Sequence, residues 1–291
     1  MANLKEIRVR ISSVSSTMQI TSAMKMVSAA KLKRAQDAIV QMRPYAEKLQ
    51  EILSGVSASL DGSEGKYSQK REVKNILIVA ITSNRGLCGA FNNSIVKEAN
   101  LVASQHNGAN VGVLSLGKKA ADIFRKGENH YTEGFGEKPY EELNELTFAN
   151  VSSVAQEIME QFADGKWDKV VLCYNKFKNA AVQLVTAEQF LPVLPPESDD
   201  DSGTNTDYIF EPDKESIVEE IIPKSLRTQL FKAMLDSRAS EHGARMTAMH
   251  KATENAGEMR DELKLHYNKA RQAAITGEIL EIVGGAEALN G

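Results

Sequence analysis

The chain has 291 residues, of which 42% are hydrophobic and 25% are charged, and its formal net charge is −4. This composition supplies a globular core and excludes an intrinsically disordered protein. No stretch has the pattern of a signal peptide or the roughly eighteen apolar residues of a membrane span, so we expect a soluble intracellular protein.

Charge is distributed unevenly along the chain. Residues 1–49 carry nine Lys or Arg against three Asp or Glu, residues 224–289 carry ten against nine, and the middle is acidic. The basic N-terminal segment indicates either an acidic or nucleic-acid partner or a solvated helix face.

Residues 1–57 are predicted to form one long helix. Asn3 and Glu6 have the spacing of a capping box, and Pro44 predicts a kink or joint. Apolar and small residues then recur at alternating steps of three and four, which is typical of a coiled-coil seam. The predicted seam is Leu4, Ile7, Ile11, Val14, Met18, Thr21, Lys25, Ser28, Leu32, Ala35, Ile39, Met42, Ala46, Leu49, Leu53 and Val56.

The middle of the chain has a different pattern. After a polar linker at 58–73, residues 74–191 alternate strand-like apolar runs with helical segments, which predicts a small open α/β (Rossmann-like) domain with parallel strands. The predicted strands are 75–82, 111–116 and 170–174, and the clearest helical pattern runs from Phe148 to Phe162. An acidic loop rich in Pro, Asp, Ser and Gly follows at 192–212.

Residues 213–291 are predicted to form a second coiled-coil helix, stopped by Gly284 and Gly285. Its seam is Met249, Ala252, Ala256, Met259, Leu263, His266, Ala270 and Ala273, and its register continues through Gly277 to Leu280. The predicted fold class is therefore α/β, with a long antiparallel coiled coil of the terminal helices and an inserted α/β domain. Fifty to sixty residues of such a helix would make a rod roughly 80 to 90 Å long.

No catalytic constellation is visible. The turn SNRGLCGAFN (83–92) lacks both GxGxxG and GxxxxGK[ST], so its glycines indicate a tight turn rather than a phosphate site. Neither Cys88 nor Cys173 forms a CxxC pair, and Cys88 is interpreted as buried and inert. His242 and His250 lack a third ligand. We predict no catalytic residue, cofactor, metal or direct small-molecule ligand.

Two features of the helices bear on possible partners. Lys31, Lys33 and Arg34 cluster on the first helix, which makes a coiled-coil nucleic-acid-binding protein the alternative function. Met24 and Met26 flank the seam residue Lys25, where ordinary packing explains them poorly. Methionine suits surfaces that meet several partners.

Five motifs, in this order, resemble the gamma subunit of the F-type ATP synthase, bacterial type. They are ITSAMKMVSAAKLKRAQ (20–36), SNRGLCGAFN (83–92), CYNKF (173–177), ASEHGARMTAMHKATENA (239–256) and LHYNKARQAAITGEILEIVGGAEAL (265–289). The resemblance covers nearly the whole chain.

The resemblance implies a central rotor shaft rather than an enzyme. The terminal helices would turn inside a hexamer of three alpha and three beta subunits, while the middle domain would stand with the epsilon subunit on the ring of membrane c subunits. ATP chemistry would belong to the beta subunits, and the chain would meet the membrane only through the ring and bind no nucleic acid.

The resemblance also implies contact residues. Stator loops would meet Met24, Lys25, Arg245, Arg271, Gln272 and Thr276, and a hydrophobic bearing at the top of the hexamer would hold Ile279, Leu280, Ile282 and Val283. The loop at 196–210 lacks the cysteine pair of plastid relatives, so thiol regulation is not expected. The absence of a transit peptide favours a peripheral location on the cytoplasmic face of a bacterial inner membrane, with a mature organellar chain as the alternative.

Overall fold

The computed structural model describes residues 4–57, 66–106, 108–193 and 214–290. In chain order its elements are α1 (Leu4–Ser57), β1 (Asn75–Ala80), α2 (Phe91–Gln105), β2 (Asn110–Ser115), α3 (Lys118–Phe124), β3 (His130–Tyr131), α4 (Pro139–Glu142), α5 (Phe148–Ala163), β4 (Lys169–Phe177), β5 (Gln183–Leu191) and α6 (Lys214–Asn290). The chain thus begins and ends with a long helix and has a sheet between them in sequence, which confirms the predicted fold class. Asn3, half of the linker (58–65) and most of the acidic loop lie outside the described residues.

Contacts group the chain into two compact units. The coil unit comprises Met1–Ser28 and Met246–Gly291, and the sheet unit comprises Ala29–Arg245. Within the described residues, no helix combines the length and the apolar character that crossing a bilayer requires.

Helix α1 buries the side that the sequence predicted. Every predicted seam position from Leu4 to Leu49 is buried or half-buried. Glu6 lies in the first turn and accepts from Arg10 at 2.8 Å, an arrangement that favours a helix N-terminus. Pro44 lies inside the helix.

Side-chain pairs in the coil unit show that α1 and α6 run antiparallel, because the α6 partner moves toward its N-terminus as the α1 residue number rises. The pairs are Arg8 Nη2 with Tyr267 OH (2.7 Å), Met18 Sδ with Arg260 Nη1 (3.8 Å), Thr21 Oγ1 with Thr253 Oγ1 (2.8 Å) and Lys25 Nζ with His250 Nδ1 (3.3 Å). The predicted antiparallel pairing is correct for this unit.

Three positions of the predicted α6 seam are wrong by one residue. Met259, His266 and Ala273 are exposed, whereas the contacts to α1 come from Arg260 and Tyr267. The steps of three and four can be taken in either order, and apolar content alone favoured Met259. Arginine and tyrosine bury an apolar stem or ring while their polar ends reach water or a partner, so they serve this seam.

The predicted stop at Gly284 and Gly285 is also wrong, since α6 continues through both to Asn290. Glycine in a helix interior costs about 1 kcal/mol relative to alanine. It permits a stop without imposing one.

The sheet unit contains a five-stranded sheet in the order β3-β2-β1-β4-β5. Strands β1, β2 and β4 fall on the three predicted apolar runs and pair in parallel. The prediction of parallel strands fails at one edge, where β5 runs antiparallel to β4. Its sequence QLVTAEQFL mixes polar and apolar residues and is half-exposed, as suits the edge of a mixed sheet.

Both faces of the central strands are covered, which explains their continuous apolar sequences. On one face, Leu77, Val79 and Leu172 pack with residues of α5 and with Ile222–Met234 of α6. On the other, Ile76 and Ile78 pack with residues of α2 and α3. The predicted helix from Phe148 to Phe162 is α5. Its Val151, Val154, Ile158 and Phe162 pack on the first face, whereas Phe148 is exposed.

A buried amide fixes the loop beside β3. Gln161 is buried, its Oε1 accepts from Tyr131 OH (2.9 Å) and Trp167 Nε1 (3.1 Å), and its Nε2 donates to Glu133 O (3.0 Å) and a Glu157 carboxylate oxygen (2.7 Å). The amide therefore satisfies two aromatic donors at once.

Replacing this amide tests the network. Gln161→Leu leaves the Tyr131 and Trp167 donors without an acceptor, and we expect the free energy of unfolding to fall by about 2–4 kcal/mol in urea titrations. Ser153→Ala on the same helix, where the exposed hydroxyl bonds only Asn150 O, should change it by less than about 0.5 kcal/mol. Equal stabilities for the two variants would contradict this role.

Candidate functional site

Met24 and Lys25 lie on α1 in the coil unit, next to exposed side chains. Both are half-buried, and Lys25 Nζ lies 3.3 Å from His250 Nδ1, whose ring faces Glu254 at 3.5 Å through Nε2. The next two side chains point outward, with Met26 65% exposed. This level of α1 therefore presents apolar groups beside a cation.

Arg271, Gln272 and Thr276 lie together on an exposed stretch of α6. Gln272 and Thr276 are four residues apart and so face the same way. None of the three makes a side-chain hydrogen bond or ion pair with another described residue. Their polar groups are thus available to a partner.

The end of α6 carries an apolar face without cover among the described residues. Every described side chain from Glu278 to Ala288 is exposed. The large apolar members are Ile279, Leu280, Ile282 and Val283, joined one turn earlier by exposed Ile275. At 100° per residue these five fall on about half of the helix circumference, and an apolar face of this kind marks an interaction surface.

Arg245 differs from the other predicted contact residues because it is only 8% exposed. In the sheet unit its Nη1 pairs with Glu241 at 2.6 Å, its Nη2 donates to Arg85 O at 2.9 Å, and Nε donates to Gly86 O at 3.3 Å. The fold thus engages this guanidinium with the turn 83–90. Nothing in the sequence pattern signalled that contact.

The glycine turn itself behaves as predicted. Gly89 has φ +60 and precedes α2 without a phosphate-binding motif. Cys88 and Cys173 are both buried and unbridged, and burial raises the pKa of the Cys173 thiol to about 12. No cluster of three or more His, Cys, Asp or Glu among the described residues has the arrangement of a metal site.

His242, next to the Arg245 turn, is buried among cations. Burial, as the largest cause, and the charges of Arg245, Arg238 and Lys31 together lower its pKa to about 4. Its Nδ1 has no hydrogen-bond partner among the described residues. The folded chain therefore keeps this imidazole neutral over a wide pH range.

These features define a class: an α/β protein whose terminal helices pair antiparallel and end in an exposed apolar tip. A family model described as ATP synthase matches residues 3–289. The ATP synthase gamma chain of Flavobacterium johnsoniae is 61% identical over 292 residues, and that of Christiangramia forsetii is 60% identical over 293, each with 100% of both chains covered. The chain belongs to the ATP synthase gamma-chain family.

Solved structures agree with this assignment. The chain is similar to one in the Euglena gracilis mitochondrial ATP synthase, OSCP/F1/c-ring, with a TM-score of 0.66 and 22% identity, covering 98% of this chain and 94% of that one. That likeness shows the fold alone. A chain of the Tetrahymena thermophila central stalk/c-ring structure has a TM-score of 0.56 and 25% identity, covering 80% of this chain and 99% of that one.

The predicted function as a rotor-shaft subunit is confirmed by these relatives, and the chain is a subunit of an ATP-synthesising complex. Nothing in the comparisons supports the nucleic-acid-binding alternative.

The buried imidazole predicts a pH dependence. Between about pH 6.5 and 4 the unfolded chain binds a proton at His242 that the folded chain does not, so the free energy of unfolding should fall by about 3 kcal/mol as the pH drops through this window. His242→Gln should lack that part of the loss. Urea titrations of both proteins across the window measure the difference.

A second buried group acts in the opposite direction. Burial raises the pKa of the Asp236 carboxyl, against the opposing effects of Lys232 and Lys176. Because Asp236 is present in both proteins, the difference between them isolates His242. Parallel pH profiles would show that His242 titrates normally in the folded chain.

Proposed function

We propose that the chain couples ion-driven rotation of the membrane ring to sequential conformational changes of the catalytic beta subunits, and is itself non-catalytic. The observation that carries this proposal is the antiparallel helix pair of the coil unit, in which polar and apolar contacts recur from Arg8 to Lys25. A pair held at several levels resists twisting better than a single helix does.

We further propose that stator loops of the beta subunits meet Met24, Lys25, Arg271, Gln272 and Thr276. Exposure of the last three and the outward apolar groups beside Met24 support this. A flexible methionine suits a contact that changes partner during rotation. Arg245 remains a predicted member of this set, although its guanidinium is occupied within the sheet unit.

The exposed tip of α6 is proposed to turn in a hydrophobic bearing. Ile279, Leu280, Ile282 and Val283 are large, apolar and exposed, and water is an unfavourable surrounding for such a face. An apolar sleeve would cover the face without the directional bonds that hinder rotation.

The partners proposed for this chain are three alpha and three beta subunits, the epsilon subunit and the ring of c subunits. Its place would be the cytoplasmic face of a bacterial inner membrane, reached only through the ring. No cofactor, nucleic acid or small-molecule ligand is part of the proposal. The similarity to bacterial gamma chains, at 60–61% identity over 100% of the chain, supports this set of partners.

Breaking α6 tests torque transmission. Leu263 is half-buried in the coil unit, and Leu263→Pro removes a helical hydrogen bond and clashes with the preceding turn at a cost of about 3 kcal/mol or more. We expect the assembled complex to keep part of its ATP hydrolysis while ions pumped per ATP fall severalfold. Both rates are measured in reconstituted, leak-tested vesicles.

Leu263→Ala is the matched control because it removes the same side chain and keeps the helix. It should retain most of the pumping per ATP. If the proline variant assembles and pumps a normal number of ions per ATP, an intact helix at this level is not needed for coupling.

A further inference from the structure

The turn between β1 and α2 contains a strained residue that is also exposed. Leu87 has φ +63, the one positive φ at a non-glycine residue in the described part of the chain, and its side chain is 64% exposed. The left-handed conformation brings Cβ of an L-residue too close to its own backbone. It persists at a leucine only where the surroundings hold it.

Leucine cannot hold itself there by burial, because most of its side chain is in water. The bonds that fix the turn come from its neighbours. Ser83 Oγ donates to Arg85 O at 2.6 Å, and Ser83 N donates to Asn92 Oδ1 at 2.9 Å. The first bond lies within the turn, and the second anchors the base of the turn to the start of α2.

Further bonds to the turn come from α6. Arg245 Nη2 donates to Arg85 O (2.9 Å) and to Gly86 O (3.3 Å), and Nε donates to Gly86 O (3.3 Å). One planar guanidinium thus grips both carbonyls immediately before Leu87. On its other side, Nη1 is fixed by Glu241 at 2.6 Å, one helical turn away.

We propose that Arg245, braced by Glu241, is a positioning residue that holds the Arg85–Leu87 turn in its strained conformation, and that coupling requires the turn to be fixed in this way. In this role Arg245 acts through the turn and not by touching a partner. The requirement for coupling rests on the proposed rotor function, whereas the positioning of the turn concerns the chain alone. The fork geometry is essential, since a lysine ammonium is a point charge that cannot span two carbonyls from a braced plane.

Cleavage of the Arg85–Gly86 peptide bond measures how firmly Arg245 holds the turn closed. A protease must take the scissile carbonyl into its own oxyanion hole, and here that carbonyl is Arg85 O, which already accepts from Arg245 and Ser83. Cleavage after Arg85 by an arginine-specific protease therefore measures how often the turn opens.

The full-length chain is digested briefly, and cleavage at Arg85–Gly86 is quantified by mass spectrometry relative to a peptide spanning residues 80–92. We expect Arg245→Lys to accelerate this cleavage on the order of tenfold or more, and Glu241→Gln to accelerate it less. The control is Arg238→Lys, another α6 arginine that donates to a backbone carbonyl, Asn144 O, outside the turn. It should not change cleavage at Arg85.

Relief of the strain gives a second, independent variant. Glycine adopts φ +63 without a steric penalty, so adding Leu87→Gly to Arg245→Lys should slow cleavage again severalfold, after the matching peptide correction. General loosening of the fold would not be reversed by glycine. No acceleration by Arg245→Lys over Arg238→Lys, or no reversal by Leu87→Gly, overturns the positioning role.

The requirement of a fixed turn for coupling is tested in the assembled complex. Arg245→Lys retains the charge and loses the planar guanidinium, and Glu241→Gln leaves Arg245 in place with an uncharged, weaker acceptor. Both should lower ions pumped per ATP, in the order of their effects on cleavage, whereas Arg238→Lys should not. Normal coupling in a variant whose turn opens readily would overturn the proposal while leaving the rotor function itself intact.

Discussion

The antiparallel pairing of the two ends of the chain is the constraint on which the coil unit depends. It requires two seams whose contacts match over several turns, and the pairs from Arg8–Tyr267 to Lys25–His250 supply polar contacts that hold the register. A purely apolar seam could slip along the axis, whereas hydroxyl and charged pairs are satisfied only in one alignment. Since α6 extends beyond the start of α1 in this pairing, its apolar tip is left uncovered.

The sheet unit uses α6 for a different purpose. There Ile222, Leu226 and Leu230 are core residues against the central strands, while Arg245 reaches the turn after β1. Buried apolar area holds the helix on the sheet, and directional bonds fix the turn. The same helix thus packs on the sheet through apolar residues, and it positions the turn after β1 through the buried Arg245.

Sequence periodicity predicted most of this fold because burial is periodic. The α1 seam and strands β1, β2 and β4 followed from spacing and apolar runs alone. β5 was not predicted because a half-exposed edge strand lacks a continuous apolar run. Met259 was preferred to Arg260 because composition does not reveal how a long polar side chain lies. The contact residues came from resemblance, and the grip of Arg245 on Arg85 and Gly86 joins residues far apart in sequence, which no local pattern encodes.

We infer that the paired helices of the coil unit work as one shaft in a single register. A disulfide between Thr21→Cys and Thr253→Cys tests it most directly, because the two hydroxyl oxygens lie 2.8 Å apart and disulfide formation demands close Cβ atoms. We expect rapid cross-linking in the assembled complex, with ions pumped per ATP unchanged between its oxidised and reduced forms. Failure to cross-link, or a loss of coupling on oxidation that reduction restores, would contradict the claim.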